Sequence, residues 1–176
     1  NDYLEHNFII NGTHQLHPVF QVDYAAGIEY VDFYYGFQDS LIDNKANSYY
    51  LNLQSQLDIN ENWELLNAYD LRYKNYQLNS EEEPDYLQHL FISKLRYNFT
   101  HQLNINVGYQ FESKNHLLFE NAQEEYIKEQ NYFGNGVICG LDYFNLNDLL
   151  ISLNANYSWR RYPQSSADSW NGLYAN

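Results

Sequence analysis

Apolar and polar residues alternate along this chain with a period of two, over segments much longer than most soluble strands. Within residues 49–59 the odd positions are apolar except for Ser55, whereas the even positions are mostly Asn, Gln and Asp. The same alternation recurs within residues 103–112 and 149–160. Successive side chains of a β-strand point to opposite faces of the sheet, and these segments do not fit the 3.6-residue period of a helix. The pattern therefore predicts long β-strands with one apolar and one polar face.

Weaker copies of the alternation fill the rest of the chain and bring the prediction to eight full strands. Their approximate bounds are 3–14, 18–35, 48–60, 63–77, 87–99, 102–115, 132–145 and 149–162. Short polar turns are predicted at 15–17, 60–62, 100–101 and 146–148, and long loops at 36–47, 78–86, 116–131 and 163–169. The predicted fold class is therefore all-β, an antiparallel up-and-down barrel formed by a single domain over residues 1–176.

The composition excludes several other classes of protein. Nine Lys and Arg against 23 Asp and Glu give a formal net charge of −14, and a nucleic-acid partner normally requires a basic patch. Cys139 is the only cysteine, so no intrachain disulfide and no cysteine-based zinc site is predicted. The longest apolar runs have about five residues, far short of the ~20 that a helical membrane span needs. We therefore predict no nucleic-acid partner, no metal site and no cofactor for this chain.

A barrel with this alternation either encloses its apolar face, as a soluble ligand-binding barrel does, or turns it toward lipid. Strands of about 12 to 14 residues exceed both the usual soluble length and the ~9–11 residues that cross a bilayer at a tilt. Aromatic residues cluster toward the strand ends of the apolar face, as at a membrane interface. They are Tyr49, Trp63, Tyr73, Phe99, Phe111, Tyr143, Tyr157 and Trp159. These features favour the membrane barrel.

In these patterns the chain resembles the Gram-negative outer-membrane β-barrels, a porin-like class, across nearly its whole length. The resemblance implies a location in the bacterial outer membrane and the lipid bilayer as the main partner. In that class the short turns face the periplasm, which would put both ends of this chain on the extracellular side. We therefore expect the chain to be part of a barrel of ten or more strands, with a complete eight-stranded barrel as the alternative.

The charged residues of the polar face are the candidate functional residues, because opposite charges along a lumen set the electrostatics of a pore. Asp23 and Glu29 join them on an early strand, and the alternative role of all these charges is to neutralise one another and fill a narrow lumen. Glycines 134, 136 and 140 are predicted to let bulky side chains approach the backbone. The predicted lumen charges are Asp70, Arg72, Lys74, Lys94, Arg96, Glu112, Lys114, Asp142 and Arg160.

Three functions are compatible with this sequence. The first is a pore or transport conduit with a charged lumen. The second is a non-conducting scaffold or interaction barrel, with other outer-membrane or periplasmic proteins as candidate partners, and the third is a soluble ligand-binding barrel. No Gly-x-Ser-x-Gly motif occurs, and the sequence places no nucleophile beside a base, so the chain is predicted not to be an enzyme.

Overall fold

The computed structural model describes residues 2–37, 40–76, 85–116, 131–144, 150–162 and 170–175, and these form one antiparallel β-sheet. The nine strands pair in sequence order, each with the strand before it and the strand after it. They are β1 (Asp2–His17), β2 (Phe20–Phe37), β3 (Ser40–Asp58), β4 (Trp63–Tyr76), β5 (Tyr86–Thr100), β6 (Leu103–His116), β7 (Tyr132–Phe144), β8 (Leu150–Arg161) and β9 (Trp170–Ala175). The predicted all-β, up-and-down antiparallel fold is confirmed.

The described turns at 18–19, 59–62 and 101–102 lie at one end of the sheet, which we call the turn end; the opposite end is the loop end. At the turn end between β3 and β4, the Asn60 side-chain oxygen accepts hydrogen bonds from the backbone N–H groups of Asn62 and Trp63, at 2.9 and 3.1 Å. Between β5 and β6, Thr100 Oγ1 accepts from the backbone N–H groups of Gln102 and Leu103, at 3.1 and 3.0 Å. Side-chain acceptors thus satisfy backbone donors where the strand ladder stops.

Three predicted connections differ from the structure. Residues 36–47 were expected to form a long loop, but β2 and β3 continue through this region and pair as far as Phe37 and Ser40. The first turn lies at 18–19 rather than 15–17, because β1 extends past a bulge to His17. The turn predicted at 100–101 is at 101–102. The predictions for 78–84, 117–130, 146–148 and 163–169 lie outside the described residues.

The sheet has two chemically distinct faces, and neither packs into a hydrophobic core. Among the side chains that the structure describes, the buried hydrophobic residues are Ala46, Tyr132 and Ile138 alone. Large apolar side chains such as Phe8, Val107 and Leu153 are instead 51–64% exposed. An apolar surface of this extent is not stable in water and indicates a lipid or protein environment.

Candidate lumen site

All the predicted lumen charges lie on one face of the sheet, which we call the polar face. The strand register explains why: Asn52 pairs with Asp70, and along the same row Glu112 pairs with Gly134 and Gly134 with Arg160. Directly opposed residues in an antiparallel sheet share a face, so the alternation within each strand is carried from strand to strand. Asp23 and Glu29 lie on this face as well, through the pairs that β2 makes with β3. Their effect on a pore stays a prediction.

Glu112 is the centre of a hydrogen-bond network toward the loop end of the polar face. Its Oε1 accepts hydrogen bonds from Gln88 Nε2 at 2.8 Å and from the Tyr132 hydroxyl at 2.6 Å. Its Oε2 accepts from Arg160 Nη2 at 3.0 Å. The Glu112 side chain is 11% exposed and that of Arg160 38% exposed, so the carboxylate is the more protected partner of this ion pair. A buried carboxylate needs such compensation, and here three donors from three different strands provide it.

Two cations of the polar face lie over tyrosine rings. Lys114 Nζ is 4.1 Å from the centre of the Tyr86 ring, and the guanidinium carbon of Arg160 is 4.5 Å from the centre of the Tyr132 ring. Both distances are within the range of a cation–π interaction. The loop-end half of the polar face therefore combines positive charge with flat aromatic surfaces.

A second ion pair lies toward the turn end, where Arg96 Nη1 is 3.1 Å from Glu64 Oε2. Glu64 Oε1 also accepts a hydrogen bond from Asn98 Nδ2 at 2.7 Å. Arg96 Nε and the side-chain oxygen of the opposing Asn106 are both buried, and neither has a hydrogen-bond partner within the described part of the chain. One is a donor and the other an acceptor, so a bridging water would satisfy both.

The charges on the polar face are segregated across the sheet. On β1 to β3 its described charged side chains are carboxylates, including Asp23, Glu29 and Asp58. Its cations lie on β4, β5, β6 and β8, and β4, β6 and β7 also carry carboxylates, namely Glu64, Asp70, Glu112 and Asp142. Among the described residues, Arg72 and Lys94 form no ion pair. The face thus has an acidic side and a side of mixed charge on which these two cations are not paired.

The predicted interfacial aromatic residues all lie on the opposite, apolar face. Several pack on neighbours: the Tyr49 and Tyr73 rings stack at 5.9 Å, and Trp63 lies 4.6 Å from the Tyr97 ring. Phe111 departs from the expected strand-end position, because it pairs with Phe91 in the middle of β5 and β6. Tyr157, near the middle of β8, departs from it in the same way. Their contact with a membrane interface stays a prediction.

The apolar face of β3, β4 and β5 also carries a polar cluster that the sequence analysis did not identify. Ser93 Oγ donates to Asn67 Oδ1 at 2.8 Å, and Asn67 Nδ2 donates to Ser55 Oγ at 3.3 Å. Beside them the Tyr69 hydroxyl and His89 Nδ1 form a 2.8 Å hydrogen bond. These groups satisfy one another on an otherwise apolar surface.

Sequence reasoning missed four members of the polar-face networks, namely Glu64, Tyr86, Gln88 and Tyr132. Each has the same parity in its strand as a predicted lumen charge, so extending the alternation to the strand ends would have assigned it to the polar face. Which of them contact Glu112 depends on the register between neighbouring strands. The residue pattern of a single strand does not determine that register.

Neither a metal site nor a helical span is present in the described parts of the chain. No group of three or more His, Cys, Asp or Glu side chains is placed there to hold a metal ion. Within those same residues, no helix is long and apolar enough to cross a membrane.

Long strands paired in sequence order, with one apolar and one charged face, define the fold of the outer-membrane β-barrels. No protein-family model and no curated protein sequence matches this chain. Among solved structures it is similar to OmpT, an in-vitro folded outer membrane protein of Vibrio cholerae in its trimer form. That match has a TM-score of 0.59 and 12% identity, and covers 99% of this chain and 53% of the other. A NanC porin matches at a TM-score of 0.46 and 12% identity, with 98% and 91% of the two chains covered.

This chain therefore spans about half the length of the OmpT structure. The OmpT match and the two-faced sheet confirm, at the level of the fold, the predicted porin-like class of bacterial outer-membrane β-barrel. In barrels of this fold the apolar face is the surface toward lipid and the polar face is the surface toward the lumen, and we expect the same of this chain.

Proposed function

We propose that this chain forms part of the wall of an outer-membrane pore, whose charged and hydrated lumen conducts small polar solutes. The observation that carries the proposal is the segregation of charge on the polar face. Among the described residues, Arg72 on β4 is exposed and forms no ion pair, whereas β2 presents the carboxylates of Asp23 and Glu29. Charges that served only to neutralise one another would not leave a cation unpaired. Unpaired charge in a water-filled passage acts on passing ions.

The test is the ion selectivity of the full-length native protein reconstituted in planar bilayers. Arg72→Glu changes the lumen charge by two units, and we expect the reversal potential in a salt gradient to shift toward cation selectivity. Arg161→Glu is the matched control, because Arg161 is exposed on the apolar face at the loop end of β8 and makes the same charge change outside the lumen. Equal shifts in both variants, or no current from the folded native protein, would refute the pore.

The polar cluster of Ser55, Asn67 and Ser93 favours a second candidate function, an interaction barrel that contacts another outer-membrane protein. Hydroxyl and amide groups can form further hydrogen bonds besides those within the cluster, and for these lipid chains offer no partner, whereas a protein surface does. Asn67→Leu removes the central group of the cluster. If the cluster binds a protein, this variant loses cross-links to its neighbours in native membranes while its folding yield is retained.

A further inference from the structure

A recess opens in the polar face where β7 crosses between β6 and β8. Gly134 forms its floor, and because it lacks a side chain the backbone is uncovered there. The recess has a volume of about 250 Å³. That is below the ~300–1,000 Å³ of pockets that hold drug-sized ligands, so the space suits a single small ring.

Hydrogen bonds between neighbouring side chains hold the rim of the recess in place. Ser158 Oγ donates to Asn156 Oδ1 at 2.8 Å, and Asn156 Nδ2 donates to Gln110 Oε1 at 3.4 Å. On the other side of the floor, the ion pair of Arg160 and Glu112 forms the rest of the rim. Side chains fixed in this way lose little freedom when a ligand binds, which favours affinity.

The rim offers donors and acceptors together with no net charge. Ser158, Asn156 and Gln110 carry amide and hydroxyl groups, and the charges of Glu112 and Arg160 cancel. A hydroxyl group both donates and accepts a hydrogen bond, so a ring with several hydroxyls complements this rim. An apolar ring would cover the remaining donors and acceptors of the rim without bonding to them, which is costly.

We infer that this recess binds one ring of a neutral, hydroxyl-rich solute such as a monosaccharide, as a subsite along the conduction path. The inference rests on the proposed pore for its biological role, although binding itself is measured separately. The probe is D-glucose, with D-glucuronate as the anionic comparison. We expect glucose to bind the detergent-solubilised, full-length native protein with a dissociation constant on the order of 1 mM, measured by saturation-transfer NMR.

Filling the recess tests its location. A Cβ atom on Gly134 would lie 3.4 Å from Arg160 Cγ and from Glu112 Cβ, which is ordinary contact. The Cβ atom of Gly134→Val is therefore accommodated, and valine is favoured in strands. We expect this variant to weaken glucose binding by about tenfold or more, because its methyl groups occupy the space of the ring. Ala68→Leu is the control, since Ala68 lies on the polar face of β4 outside the recess.

The possible results distinguish failure of the recess proposal from failure of the pore proposal. Glucose binding that is weakened by Gly134→Val and kept by Ala68→Leu supports the recess. Tighter binding of glucuronate than of glucose, no glucose binding, or equal loss in both variants would overturn it. Ion current without glucose binding leaves the pore intact and refutes the recess, whereas glucose binding without current refutes the pore alone.

Discussion

Leu53 and Gln54 are adjacent in β3 and lie on opposite faces of the sheet, so they test which face contacts lipid. Leu53 is 38% exposed and pairs with Tyr24 and Tyr69, whereas Gln54 pairs with Asp23 on the polar face. Leu53 is five residues from the turn-end limit of β3. At about 3.3 Å per residue and a tilt of 35–45°, it lies roughly 13 Å deep, near the middle of an apolar band ~25 Å tall.

We expect Leu53→Lys to lower the free energy of unfolding from lipid vesicles by about 2–4 kcal/mol, because it places a charge at mid-depth in lipid. This corresponds to a change of roughly 30- to 1000-fold in the folding equilibrium. Gln54→Lys places the same charge in the lumen beside Asp23, where we expect a change within about 0.5 kcal/mol.

The assay is equilibrium urea unfolding from vesicles of the full-length native protein, followed by tryptophan fluorescence. A cost as large for Gln54→Lys as for Leu53→Lys would contradict the assignment of the two faces. Cooperative folding of the unsubstituted protein in lipid-free buffer would contradict the membrane location and restore the soluble ligand-binding barrel.

Two further predictions concern β6 and β7. A Cβ atom on Gly108 would lie 2.7 Å from the backbone oxygen of Ser93, which cannot move without the strand, so Gly108→Ala should lower the free energy of unfolding in urea by about 1–3 kcal/mol. Gly134→Ala, with only ordinary contacts, should change it little, and the reverse order would refute this account of the glycines. Cys139 is exposed on the apolar face, where lipid would keep a water-soluble reagent away from it, so a water-soluble maleimide should modify it far more slowly in vesicles than in urea. Equal rates by intact mass would place Cys139 in contact with water.

The alternation of residue types was sufficient to assign faces, because a period of two leaves only two orientations for each side chain. Asp70 and Arg72, two positions apart on β4, were placed on the polar face this way, and the register of β3 and β5 agrees. The pattern did not reveal the strand within residues 36–47, where Asp39, Asp43 and Lys45 break the alternation. A strand that lies outside a membrane does not need an apolar face. It therefore lacks the alternation of apolar and polar residues that predicts strands elsewhere in the chain.

The sequence pattern alone could not predict contacts between side chains of different strands. The donation of Gln88, Tyr132 and Arg160 to Glu112 depends on the relative register of β5, β6, β7 and β8. A shift of two residues between any pair of strands would keep every side chain on its face and still break this network. Polarity determines the face, whereas turn geometry and packing determine the partner.

At the loop end, β2 and β3 continue well beyond β4, and β1 accompanies them as far as the pair of Asp2 and Tyr34. The last pair between β3 and β4 joins Ala46 and Tyr76, whereas β3 itself begins at Ser40. Those six further residues of β3 extend about 20 Å along the strand, at ~3.3 Å per residue. In outer-membrane barrels the loop end faces outward, so we expect this extension to present a paired, ordered backbone at the cell surface, where an antibody would bind it as a fixed shape.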